Sequence, residues 1–147
     1  MSLSCRQLKD LIERTLTEFD SELVTKVSVQ LLLCTCAQES GFGTYLRQTN
    51  GPAIGIFQME EPTFEWLREY YTNKYPQIAG WEAREMEWDL KKAIIMARLR
   101  YRVAPDPLPE GETAESLWPY YKKFYNSTLG KATEYDFINR VHQYVRC

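Results

Sequence analysis

Histidine is almost missing from this chain: His142 is the only one in 147 residues. A Ser–His or Cys–His nucleophilic pair would therefore have to use that one position, inside a helical stretch near the C-terminus. Phosphate-cradling patterns of the G-x-x-x-x-G-K or G-x-G-x-x-G kind are also missing, which removes the nucleotide-handling classes they mark. No apolar run is long enough to span a bilayer, since the longest, "VSVQLLLCTCA", is far short of the roughly 20 residues required. The opening "MSLSCRQLKDLIERTLTEFD" mixes acids and bases and holds no uninterrupted apolar stretch, so no signal peptide and no membrane insertion are expected. Charge of either sign is not in excess: Lys and Arg total 18 against 20 for Asp and Glu, a net of −2. That balance gives no support for a nucleic-acid partner. Cysteine is sparse, with Cys5, Cys34, Cys36 and Cys147. A C-x-C pair on a helix points its thiols apart and cannot chelate one ion as C-x-x-C does, so no metal site is expected. Cys34 and Cys36 read as buried free thiols, and nothing in the pattern requires an oxidising compartment. No cofactor is implied.

What is present is an ordinary globular composition, 44% hydrophobic and 26% charged, in a length that suits one domain over residues 1–147. Leu8, Leu11, Ile12, Leu16 and Phe19 recur at helical spacing and predict an amphipathic first helix. Ser21 is a suitable N-cap for a second helix ending near Gln38 or Glu39. Residues 27–36 are apolar nearly all round, so this helix should be central and buried. Gly41 and Gly43 end it, and residues 41–60 hold Gly51, Pro52 and Gly55, which suits turns or a small β element. Pro62 fits a helix start and is followed by Phe64, Trp66, Leu67, Tyr70 and Tyr71. "AREMEWDLKKAIIMARLRYRVA" reads as the longest helix, with Trp88, Ile95, Met96, Leu99 and Tyr101 among its apolar positions. Its basic run, Lys91, Lys92, Arg98, Arg100 and Arg102, reads as a solvated face. After "PDPLPEGE", two more helices are expected, from Thr113 or Ser116 to about Tyr125 and from Thr133 to Arg146. The fold class is all-α, about six helices with a glycine-rich loop or small β element after the second.

Glu39 is the residue with the clearest chemical potential. A carboxylate at the end of a buried helix meets desolvation and the negative pole of the helix dipole, and both raise its pKa. A protonated acid near neutral pH is the state that can donate to a leaving oxygen. In "GPAIGIFQMEEPT", Gly51 and Gly55 allow close backbone approach to a ligand, and Gln58 can donate and accept hydrogen bonds. Tyr120, Tyr121 and Tyr125 lie at helical spacing, as core aromatics or as rings that stack on sugars.

"QES-GFG", then "GPAIGIFQM", then "FYN" ahead of a glycine is similar in order and spacing to the soluble lytic transglycosylase and goose-type lysozyme group of the lysozyme-like superfamily, closest to small phage-encoded members. Glu39 and Ser40 match its Glu-Ser motif at the end of a buried helix, Gly55 and Gln58 its Gly-x-x-Gln, and Tyr125 and Asn126 its Tyr-Asn. The resemblance covers about residues 21–146. Phe57 stands where the transglycosylases usually have methionine, with Met59 nearby. Ser127, Thr128 and Leu129 replace the usual Ala-Gly before Gly130, a change at the lip of the pocket.

The resemblance implies a lysozyme-like fold and cleavage of the β-1,4 bond between N-acetylmuramic acid and N-acetylglucosamine in peptidoglycan. Glycosidases that use two carboxyl groups place them on either side of the scissile bond; Glu60 is the best second acid here, and a dipole-favoured acid in the first turn of a helix is its ordinary alternative. A single-acid route fits better, with Glu39 as general acid and then general base, giving a 1,6-anhydro sugar. Ser40 and Tyr125 would orient Glu39 or the substrate's N-acetyl group, and Gln58 and Asn126 would bind sugar. The implied partners are peptidoglycan strands and, beyond them, phage virion or secretion-apparatus proteins. The chain would be made in a bacterial cytoplasm and then be virion-associated or released to the periplasm. The rival expectation is a non-catalytic virion or secretion-machine component that binds wall glycan or a protein partner.

Overall fold

A computed structural model describes residues 1–126 and 130–147. The segment Ser127, Thr128 and Leu129, where the sequence departs from the transglycosylase pattern, lies outside the described residues. Six α-helices carry the chain: α1 (Cys5–Asp20), α2 (Lys26–Ser40), α3 (Glu61–Tyr71), α4 (Leu90–Arg102), α5 (Ala114–Tyr121) and α6 (Glu134–Tyr144). The fold is all-α. Its strand content among the described residues is two isolated antiparallel bridges, Arg47 with Ile54 and Ile54 with Met59, so the small β element falls in the glycine-rich loop as expected.

Helix α2 is the hub, packed against α1, α4, α5 and α6. Its residues Leu31, Leu32, Leu33, Cys34, Cys36 and Ala37 are all buried, which is why the sequence is apolar on every side rather than on one stripe. Thr25, not Ser21, caps it: the Thr25 hydroxyl accepts from the Ser28 amide, and the Ser28 hydroxyl accepts from the Thr25 amide, both at 2.9 Å. Ser21 instead opens a short 3-10 turn, Ser21–Leu23, capped by Asp20. Two competing hydroxyls lie four residues apart, and the one with a serine three positions on can close the reciprocal capping box.

The expected longest helix is broken. Residues Ala83–Glu87 form a 3-10 turn, and α4 starts only at Leu90, where the Asp89 carboxylate accepts from the Lys92 amide at 3.0 Å. An aspartate placed three residues ahead of a free amide is a better cap than an interior helix residue. At 16 residues α1 is longer than α4, which has 13, and Trp88 is left 64% exposed instead of packed. The basic run is not one solvated face either. Arg98 is buried and donates from Nε to the Leu23 carbonyl at 2.9 Å. Arg100 donates to the Tyr125 carbonyl at 2.5 Å, and Lys92 is paired with Glu85. Lys91 and Arg102 alone are exposed as expected. Helix α5 stops at Tyr121 and widens into a π turn, Lys122–Asn126, and α6 ends at Tyr144, two residues short of the expected Arg146.

The chain ends are joined. Cys5 and Cys147 form a disulfide across 142 residues of sequence, with Cα atoms 5.2 Å apart, an ordinary separation for such a bond. This corrects the expectation that nothing in the cysteine pattern requires an oxidising compartment, because structural disulfides are rare where thiols are kept reduced. Cys34 and Cys36 are free and buried, and burial pushes both thiols up to about 12, so they are inert as nucleophiles.

Candidate active site

The site begins at the end of α2. Gly41 takes the left-handed conformation (φ 57°) that closes the helix, and its amide bonds the Ala37 carbonyl at 3.2 Å. Phe42 follows in the same region at φ 58°, an uncommon conformation for a bulky residue. It is held there by full burial and by stacking on Tyr144 of α6, ring centres 6.0 Å apart. This tight reversal leaves Glu39 on the last turn of α2, facing the glycine-rich loop rather than the core.

Glu39 is held on one side by Tyr121 of α5, whose hydroxyl donates to the Glu39 carboxylate. Burial raises the Glu39 pKa from 4.5 to about 7, opposed by the Tyr121 bond and the positive charges of Arg100 and Arg140. Removal of water from the carboxylate outweighs three stabilising influences, so near neutrality a large fraction of the protein carries Glu39 as the neutral acid. Burial beside that carboxylate pushes the Tyr121 phenol far above its ordinary range, so Tyr121 acts as donor at any working pH.

A cleft of about 380 Å³ opens onto Glu39, lined also by Tyr45, Arg47, Gln48, Thr49, Ala53, Gln58 and Arg140. The loop supplies most of this wall, fixed by the Gln48 amide on the Ala53 carbonyl (2.9 Å) and the Gly55 amide on the Leu46 carbonyl (2.7 Å). Gly55 sits at φ 79°, and a Cβ there would lie 2.5 Å from the Met86 carbonyl oxygen. The glycine is thus demanded by close approach to the backbone ahead of α4, not to a ligand. Gln58 takes φ 51°, and its Nε2 donates to the Gly55 carbonyl at 2.9 Å. That internal bond orients the amide, leaving its oxygen and second N–H for whatever occupies the cleft.

The other sequence candidates fall elsewhere. Tyr125 is buried, and its hydroxyl donates to the Phe57 carbonyl at 2.6 Å. It therefore pins the loop that carries Gln58, and the role of touching Glu39 passes to Tyr121, four residues earlier. The two rings lie four residues apart, on one helix face, with centres 6.0 Å apart. Ser40 is buried, with its hydroxyl accepting from the Gly43 amide at 2.9 Å and donating to the Cys36 carbonyl at 3.3 Å, so it shapes the reversal rather than the cleft. Asn126 accepts from Lys122 Nζ at 2.7 Å. Glu60 is the exposed residue ahead of α3 and does not line the cleft. Glu39 is the one carboxyl group in that wall among the described residues.

Neither Tyr121 as the partner of Glu39 nor Arg140 as a cleft residue is singled out by the sequence pattern. The first carried a signal, an aromatic one helical turn from a candidate; the second carried none, since it reaches Gln38 across 102 residues of sequence. Among the described residues, no group of His, Cys, Asp and Glu is placed to hold a metal ion. Compared with known protein families, curated proteins and solved structures, the chain matches none.

Proposed function

We propose that this chain is a lytic transglycosylase of the bacterial cell wall, phage-encoded and carried in or with the virion, that cuts the N-acetylmuramic acid–β-1,4–N-acetylglucosamine bond. The observation that supports this most is the state of Glu39, a carboxyl group raised to about 7 at the head of a cleft with no second acid among its described lining residues. A hydrolase with two carboxylates needs a partner acid across the bond; a reaction that consumes no water needs one group used twice. Glu39 first gives its proton to the glycosidic oxygen as the C1–O bond breaks. The positive charge left on the muramic ring is stabilised by the substrate's own N-acetyl oxygen. The Glu39 carboxylate then takes the proton of the muramic C6 hydroxyl, whose oxygen closes onto C1, giving the 1,6-anhydro sugar and restoring the acid. A pKa near 7 suits both halves, since neither donation nor acceptance is far uphill. Gln58 holds the sugar through its unspent amide groups, and Tyr121 keeps the carboxyl group aimed.

Glu39→Gln tests this. The amide keeps size and hydrogen bonding but has no transferable proton, so clearing of chloroform-treated Gram-negative cells should fall by roughly 100- to 10,000-fold, with an unchanged circular dichroism spectrum. Equal clearing by the variant would remove Glu39 from the chemistry. No clearing by either protein would favour a component that binds the wall without cutting it.

A further inference from the structure

The cleft contains more positive charge than a neutral sugar needs. Arg47 and Arg140 both line it with Glu39, which near neutral pH carries its negative charge only part of the time. The two arginines are not equivalent. Arg47 already faces an acid, with Nε 2.8 Å from Glu87 in the adjoining groove. Arg140, on α6, is exposed and donates from one terminal nitrogen to the Gln38 carbonyl at 2.8 Å, a neutral acceptor on the last turn of α2. None of the ion pairs among the described residues includes Arg140. One edge of its guanidinium is therefore anchored and the remaining donors stay available at the cleft wall, an orientation that suits two parallel hydrogen bonds to a carboxylate.

We infer that Arg140 reads an acidic substituent on the glycan, a carboxylate carried by the muramic sugar or by its attached peptide, and that this selects wall glycan over neutral N-acetylglucosamine polymers. This rests on the transglycosylase reading for its ligand but not for its test, because binding can be measured without turnover. Arg140 lines the same cleft as Glu39 and its charge already bears on that carboxyl group, so its contribution to choice of strand is read as the ratio between strands, which a change in Glu39 common to all of them leaves unaltered. Arg47 supports it from the opposite element, with Glu87 holding its side chain across the neighbouring groove. A carboxylate that enters exchanges water for guanidinium donors beside a desolvated acid, where charge-assisted bonds are stronger than in bulk water.

The experiment compares three soluble strands of equal length: wall glycan with free carboxylates on its peptides, the same glycan with every carboxylate converted to the methylamide, and peptide-free glycan whose carboxylates are those of the muramic sugars. Calorimetry with the Glu39→Gln protein reads binding, and strand cleavage by the wild type reads rate. The expected result is a roughly ten- to hundredfold preference for a carboxylated strand over the methylamide strand, collapsing to near one in Arg140→Gln. Preference for the peptide-bearing strand alone assigns the carboxylate to the peptide, preference for the peptide-free strand alone assigns it to the sugar, and equal preference for both means that Arg140 takes either carboxylate. A protein that binds a carboxylated strand through Arg140 but cuts nothing supports this inference and overturns the enzyme reading. Equal affinity for all three strands, no binding to any, or an unchanged preference in Arg140→Gln would overturn the inference itself.

Discussion

Removing one oxygen, in Tyr121→Phe, should loosen control of Glu39 without disturbing the core around it. The ring of Tyr121 is fully buried and stacks on Phe137 with centres 4.9 Å apart and beside Trp118 at 6.0 Å; phenylalanine keeps those contacts. What goes is the hydroxyl that donates to the Glu39 carboxylate. In the wild type this bond is the first influence holding the Glu39 pKa down against burial, ahead of Arg100 and Arg140. A hydrogen bond to a charged group contributes about 1.5 to 3 kcal/mol, and 1.36 kcal/mol corresponds to about one pH unit. The ionised form should therefore be disfavoured enough to move the midpoint upward by roughly one to two pH units. Carbon-13 NMR of the labelled Glu39 carboxyl group measures this directly, and the descending limb of the cleavage pH profile should move the same way. A midpoint that stays near the wild-type value, or falls, with the aromatic circular dichroism unchanged, would refute the claim that Tyr121 governs this acid.

Glu39 should also be a liability for stability at high pH. It keeps its proton to about 7 when folded, against 4.5 as the ordinary value, so between those limits the folded state binds more protons and stability falls as pH rises. Glu39→Gln should accordingly melt higher than the wild type at about pH 8, by on the order of 2 to 3 kcal/mol or roughly 5 to 10 °C, with the gain gone at about pH 4; an equal difference at both pH values would contradict this. Reducing the Cys5–Cys147 bond, or making Cys5→Ser, should lower the melting temperature by roughly 5 to 15 °C, from the about 2 to 5 kcal/mol typical of a long cross-link, and an unchanged melting curve under dithiothreitol would show the bond is not formed. Tyr125→Phe should destabilise by about 1 to 3 kcal/mol, because it leaves the Phe57 carbonyl without its 2.6 Å donor; loss of cleavage with no change in melting would return Tyr125 to the chemistry.

Much of the fold is legible because its signals are local. The Leu8, Ile12 and Leu16 stripe, the all-round apolar α2 and the glycine-rich stretch that holds the β bridges each follow from periodicity or turn chemistry within a few residues. The errors lie where two local signals compete, as at Ser21 against Thr25 or at Asp89 within an otherwise periodic helix. A third kind of feature is invisible in principle. The Cys5–Cys147 bond, the buried Arg98 on the Leu23 carbonyl and Arg140 on the Gln38 carbonyl join positions whose neighbourhood only the tertiary fold creates. The candidate site divides along the same line. Glu39 at a helix end is readable from patterning, but which of Tyr121 and Tyr125, four residues apart on one face, reaches Glu39 and which reaches the Phe57 carbonyl depends on how α5 and the turn after it pack against α2 and the loop. A count of aromatics at helical spacing does not reveal that packing.

In the proposed reaction Glu39, acting alone and twice, cuts wall glycan without consuming water. Mass spectrometry of sacculi digested in heavy-oxygen water addresses it most directly. The expected products are anhydro-muropeptides with no incorporated label, absent when Glu39→Gln is used. Label at the muramic C1 hydroxyl would make the reaction a hydrolysis and require a second base, and anhydro products from the Glu39→Gln protein would contradict the assignment of Glu39 altogether.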